Sequence, residues 1–139
     1  MDIAARLSRI EDVEADAVRA GEETIRNFLR RKVGRWLMAK LLGKPDKPDI
    51  SKADTYLYKG AKLGEWDMLK ARECYLAALI VNELRFIEDG IDRNVARNWL
   101  KMPCHHLEDR APICVIRDGR AYSHLSVIGA AKTFVLRPV

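Results

Sequence analysis

The stretch RNVARNWLKMPCHHLEDRAPICVIRDGR, residues 93–120, decides how the chain is read. Asp92 caps a short helix that ends on the pair Trp99-Leu100, and Pro103 opens a loop. Pro112 then launches a second short helix that Gly119 closes, because proline is pre-set for a first helical turn and glycine suits the turn that ends one. By pattern alone, Ile113 to Tyr122 reads slightly better as a hairpin with an Asp118-Gly119 turn. Trp99, Leu100 and Leu107 are core candidates.

Upstream, Ile3, Leu7, Ile10, Val13, Ala17 and Val18 recur at helical spacing, which predicts an amphipathic helix ended by Gly21. Its apolar stripe is narrow and would serve equally as an arm on a second copy of the chain. Glu22 and Glu23 open the next helix, where carboxylates complement the positive end of the dipole. Ile25, Phe28, Leu29, Val33, Trp36, Leu37 and Leu41 give it one broad apolar face up to Gly43. Pro45 and Pro48 forbid continuation and mark a linker. Ser51 with Asp54 predicts a capped short helix stopping at Gly60. From Glu65 to Asp89, Trp66, Leu69, Leu76, Leu79, Ile80, Leu84 and Ile87 predict the longest and most buried helix, with Gly90 as its stop. The glycines are all read as helix stops or turns.

With 139 residues, 48% hydrophobic and 32% charged, the chain suits one compact domain or two small lobes sharing a core, not a disordered chain. No apolar run approaches the ~20 residues of a membrane span, and the charged start has no signal-peptide core, so a cytoplasmic location without membrane contact is expected. Three cysteines at irregular positions, Cys74, Cys104 and Cys114, make no disulfide framework and are expected as small reduced hydrophobes.

The net charge of +5 is concentrated in one block, since residues 26–62 hold eleven basic side chains against three acidic ones. Counterion release by clustered Lys and Arg drives nucleic-acid affinity, so Arg26, Arg30, Arg31, Arg35, Lys40, Lys47, Lys52, Thr55 and Lys59 are the nucleic-acid candidates. The two helices around the linker are similar to a divergent helix-turn-helix, with Lys52 or Thr55 starting the reading helix, although the connection is longer than the usual three or four residues. Cys104, His105, His106, Cys114 and His124 do not follow zinc spacing. No carboxamide or carboxylate is placed to orient a His base for a Cys nucleophile, and no glycine-rich phosphate loop is present. No metal, cofactor or catalytic residue is therefore assigned.

The order Ala96-Arg97-x-Trp99-Leu100, Pro103, Leu107-x-Asp109-Arg110-x-Pro112 and an apolar helix near Gly119 resembles the C-terminal toxin-binding domain of the Xre/MbcA/ParS antitoxins. That family usually carries Gly where this chain has Asp109, which implies a left-handed or turn conformation there, one that Asp tolerates better than most residues. The resemblance implies helices, not a hairpin, after Pro112: one to Gly119, another from Tyr122 to Ala131, then an extended tail from Thr133 to Val139. It implies a partner as well, a RES-type toxin that consumes NAD, neutralised by covering its active-site entrance. Arg110, Arg117, Asp118, Arg120 and the tail residues Phe134, Leu136 and Arg137 are then the expected contacts, with Arg110 tying the loop to carbonyls at a helix end.

The expectation is thus an all-α bundle, with a basic N-terminal region at 1–62 and a toxin-binding lobe at 63–139. It would act without catalysis as an antitoxin, assemble as a homodimer or larger, and bind its own operator DNA. The competing expectation is a DNA-binding regulator, chromosomal or phage-derived, that uses the lobe for self-association or for another protein.

Overall fold

The computed structural model describes residues 1–119 and 126–137. The protein is all-α, and among the described residues no strand is formed beyond two isolated bridges, Lys44 with Lys47 and Cys104 with Arg110. Among the described residues, no helix is long and apolar enough to cross a membrane.

Helix α1 (Ile3–Arg19) begins where the Asp2 carboxylate accepts from the Ala5 amide at 2.8 Å. Its buried stripe is Arg6, Ile10, Val13 and Ala17, which it lays on the central and last helices. Ile3, Leu7 and Val18 remain exposed.

The single helix expected between Glu22 and Gly43 is broken. Helix α2 (Glu22–Phe28) runs into a π-helical turn (Leu29–Val33), Gly34 interrupts with φ +91°, and α3 (Arg35–Leu42) restarts beyond it. The wider turn keeps Leu29, Val33 and Leu37 all facing the core across the break. Arg97 supplies the clamp: its guanidinium donates to the carbonyls of Val33 at 3.0 Å and Arg31 at 3.2 Å. A Cβ on Gly34 would stand 3.3 Å from that guanidinium, in a backbone conformation L residues rarely adopt.

Residues 43–49 turn tightly rather than spanning a gap. Lys44 and Lys47 exchange two 3.0 Å backbone hydrogen bonds, and the Asp49 amide donates to Ala39 O. Gly43 is required by that fold-back, since a Cβ there would lie 2.5 Å from Lys47 O. Helix α4 (Ile50–Lys59) is capped by Asp49, whose carboxylate accepts from Lys52 N, and not by Ser51. Asp49 is the residue with non-helical backbone just before the first turn, whereas Ser51 already lies inside the helix, so the Asp49 side chain is the one placed to cap.

Helix α5 (Glu65–Asn82) is the centre of the molecule. Ala71, Cys74, Ala77, Ala78, Ile80 and Val81 are fully buried, and the small ones let helices approach it from several sides. It ends at Asn82, seven residues short of Asp89. At Glu83 the chain bends into the single turn α6 (Leu84–Ile87), which buries Leu84 and hands Glu83 to Arg9 at 2.8 Å. Burial of a leucine of this kind contributes about 2 kcal/mol, enough to favour the bend over more exposed helix. One continuous core joins residues from both regions drawn at 62/63, including Leu41, Leu57, Ile80, Leu100 and Val135.

Helix α7 (Val95–Lys101) follows a turn in which the Asp92 carboxylate accepts from Asn94 N, so Asp92 holds the approach to the helix and not its first turn. After a 3₁₀ turn (His105–Leu107), Glu108 and Asp109 both adopt left-handed backbone, at φ 57° and 61°. Pro112 occupies the first turn of α8 (Pro112–Asp118), with Gly119 at its end, and residues 113–118 are helical, not a hairpin. The expected start of the next helix at Tyr122 lies outside the described residues, as does Arg120. Helix α9 (Val127–Leu136) begins on Ser126, whose hydroxyl accepts from Gly129 N. The extended tail expected from Thr133 is instead helical through Leu136, because Val135 is fully buried and Phe134 packs on Trp99. Gly129 lies inside this helix and is no stop.

Candidate functional site

The C-terminal loop is held by charge. Arg110 donates to the Asp118 carboxylate across the loop, and Arg117 donates to the same group at 2.9 and 3.3 Å. The Arg110 fork thus ties the loop to a carboxylate at the end of α8, where helix-end carbonyls were expected. These three side chains are largely covered, with Arg117 at 10% exposure. Arg110 thereby fastens α8 to the turn before it, and Arg117 holds the shared carboxylate in place.

Burial raises the Asp118 pKa, but hydrogen bonds and charge from Arg117 and Arg110 outweigh it and hold the carboxyl below its ordinary value. A carboxyl with a depressed folded-state pKa contributes stability that is complete above its unfolded pKa and is lost as pH falls through the folded one. Asp118→Asn should therefore lose about 1–2 kcal/mol at neutral pH. It should also show a flatter decline of the urea midpoint below about pH 4 than the parent. Parallel curves at acid pH would remove Asp118 from this role.

Beside the loop, α7 and α9 leave an open, mainly apolar cleft of about 550 Å³. Ile91, Val95, Trp99, Met102, Ala130 and Phe134 form its apolar lining, with Asn98, His105, Thr133 and Arg137 among its polar groups. The Trp99 and Phe134 ring centroids are 6.1 Å apart at 42°, and the Arg137 guanidinium carbon stands 4.3 Å from the Phe134 centroid. Met102 is 57% exposed at the rim. Of the expected tail contacts, Phe134 and Arg137 meet here, while Leu136 is half-buried against the core. Trp99, Leu100 and Leu107 are core as expected, and the covered Trp99 also forms part of the cleft wall, whereas Met102 at the rim was not legible as surface. Compared with family models, curated protein sequences and solved structures, the chain has no significant match.

The basic block divides. Arg35 makes a two-bonded pair with Asp54 at 3.0 and 2.7 Å, and Lys52 pairs with Asp67 at 2.9 Å. Arg26 stacks 5.2 Å from the Tyr56 ring centroid, Arg30 donates to Leu57 O, and the Thr55 hydroxyl bonds Ser51 O and Lys52 O. All five make contacts within the fold, including both residues expected to begin a reading helix, while the Arg35 and Lys52 side chains stay 41% and 42% exposed. Arg31, Lys40, Lys47 and Lys59 are exposed, with Lys44, Trp36 and Tyr58 also outward on α3, α4 and their turn. Lys44, Lys47, Lys52 and Lys70 ring a second, polar concavity together with Asp49 and Asp67.

Among the described residues, no three His, Cys, Asp or Glu side chains converge as metal ligands do. His105 and Asp109 approach to 3.8 Å but are 93% and 80% exposed. Burial pushes the Cys74 thiol up to about 12, with Glu73 adding to it, so Cys74 is an inert core residue.

Proposed function

We propose that this chain is an antitoxin-like adaptor that binds a RES-type, NAD-consuming toxin and blocks it by occlusion, without catalytic groups of its own. The observation that carries this reading is the α7–α9 cleft, one wall of which is Trp99 and the Pro103 loop of the segment that resembles the toxin-binding domain. An apolar floor with a few polar groups at the rim suits a partner's inserted side chain. The proposed contact surface is accordingly Met102, Phe134, Thr133 and Arg137, with Arg110, Arg117 and Asp118 holding the loop beside it. Assembly into a dimer or larger form draws support from Ile3 and Leu7, which α1 leaves outward one turn apart. Autoregulation through operator DNA draws support from the exposed lysines 40, 44, 47 and 59 around the α3–α4 turn.

The test is co-expression with a RES-type toxin encoded beside the gene. The two proteins should co-purify as a stoichiometric complex, and NAD consumption by the toxin should fall to background within it. A toxin that stays fully active and elutes alone rejects the reading.

A further inference from the structure

The α7–α9 cleft contains a cation that the fold leaves without a counter-charge. Arg137 follows the last turn of α9, and its guanidinium carbon lies 4.3 Å from the Phe134 ring centroid. Stacking on an aromatic face holds the planar group in place without using its N–H donors. Among the described residues, that side chain makes no hydrogen bond or ion pair, whereas Arg6, Arg9, Arg35, Arg110 and Arg117 each meet a carboxylate. The Arg137 carbonyl is engaged separately, as an acceptor from Arg6.

Asp92 is the one carboxylate among the described lining residues, and it serves the approach to α7. It accepts from the Asn94 amide at 2.8 Å and from the Asn98 side chain at 3.4 Å. The Phe134 ring that carries the guanidinium meets Trp99 at 6.1 Å, and Ile91, Val95 and Met102 continue the apolar wall. At about 550 Å³ the space falls within the range of small-molecule sites, which are typically apolar cavities with a few placed polar groups.

We infer that the cleft binds a small apolar monocarboxylate, its hydrocarbon against Trp99, Met102 and Phe134 and its carboxylate on the Arg137 fork. One planar guanidinium matches one planar carboxylate in charge and in hydrogen-bond geometry. A phosphate dianion would meet no second Lys or Arg among the described lining residues. An occupied cleft excludes a partner's inserted side chain, so the ligand competes with toxin docking. That competition rests on the proposed function, and the binding itself does not.

The test is titration calorimetry of the full chain, without toxin, at constant ionic strength. Octanoate should bind saturably, and hexanoate more weakly by about fourfold for each methylene lost. Octanol keeps the hydrocarbon and lacks the charge, so it should bind about tenfold more weakly than octanoate. Arg137→Met should bring octanoate down to the affinity of octanol and leave octanol unchanged, with folding intact because the side chain is exposed. Met102→Glu should weaken both probes. No saturable octanoate binding, equal affinity for octanol in the parent, or full octanoate affinity in Arg137→Met overturns the site. A toxin that docks on a chain unable to bind octanoate rejects this inference alone, and octanoate binding by a chain that takes up no toxin rejects the toxin reading alone.

Discussion

Replacing Arg6 with alanine should cost about 3 kcal/mol of folding stability, the largest single-residue loss outside the apolar core. Arg6 is 4% exposed, and its guanidinium donates to the carbonyls of Val135 at 3.0 Å and Arg137 at 3.4 Å, and to Glu88 at 3.4 Å. Those carbonyls are at the end of α9, where a helix leaves its last acceptors without intrahelical donors. Water reaches Val135 poorly, since that residue is fully buried, so removal of the donor leaves the acceptor unsatisfied. Alanine also leaves Glu88, 22% exposed, without its partner. Arg6→Met keeps much of the volume and should recover part of the loss. Urea unfolding of both variants against the parent measures this, and a loss below about 1 kcal/mol for Arg6→Ala would show that the buried fork contributes little. Since Arg6 secures the end of α9, amide exchange of residues 133–136 should accelerate in the variant as well.

The physical reason such a residue escapes a sequence reading is its range. Arg6 meets carbonyls more than a hundred positions away, and nothing near it in sequence marks it as buried. Signals that act within one turn were legible: Pro112 and Gly119 bound α8, and the stripe of α1 faces the core at Ile10, Val13 and Ala17. Failures came where tertiary packing overrode a sound local pattern. Val33 and Leu37 keep helical spacing across Gly34, so the break there shows only once Arg97 arrives from α7 to take the freed carbonyls. Similarly, Ile87 prolongs the apolar period of α5, yet burial of Leu84 and two ion pairs to α1 turn the chain at Glu83.

Site residues divided along the same line. A cluster of Arg and Lys in sequence is legible as charge, but whether each cation faces water depends on where Asp54 and Asp67 come to rest. Those two carboxylates neutralise Arg35 and Lys52, which leaves the lysines of the α3–α4 turn as the outward charge. The tail was legible as apolar and significant, but its helical state was not, because Phe134 and Val135 gain order only from Trp99 and the core behind it.

The second large effect concerns partner binding, and it separates the cleft from the charged loop. Met102→Glu should weaken the proposed toxin complex by about 2 kcal/mol or more, roughly thirtyfold in Kd, because it places an unpaired carboxylate where an apolar side chain must seat. Folding should be nearly unchanged, since Met102 is 57% exposed and follows the end of α7. Arg117→Ala should behave in the opposite way. Its side chain is 10% exposed and bonds Asp118, so its loss should lower stability while the affinity of the folded fraction stays close to that of the parent. Titration calorimetry with the purified toxin, alongside urea unfolding of each variant, reads both quantities independently. If Met102→Glu binds like the parent while Arg117→Ala abolishes binding at full stability, the contact surface lies on the α8 loop and the cleft is not the docking site. A cleft that receives the partner needs α9 in place, so Arg6→Ala should weaken binding only in proportion to the fraction in which α9 is displaced. That dependence on α1 ties the contact surface at one end of the chain to a single buried guanidinium at the other.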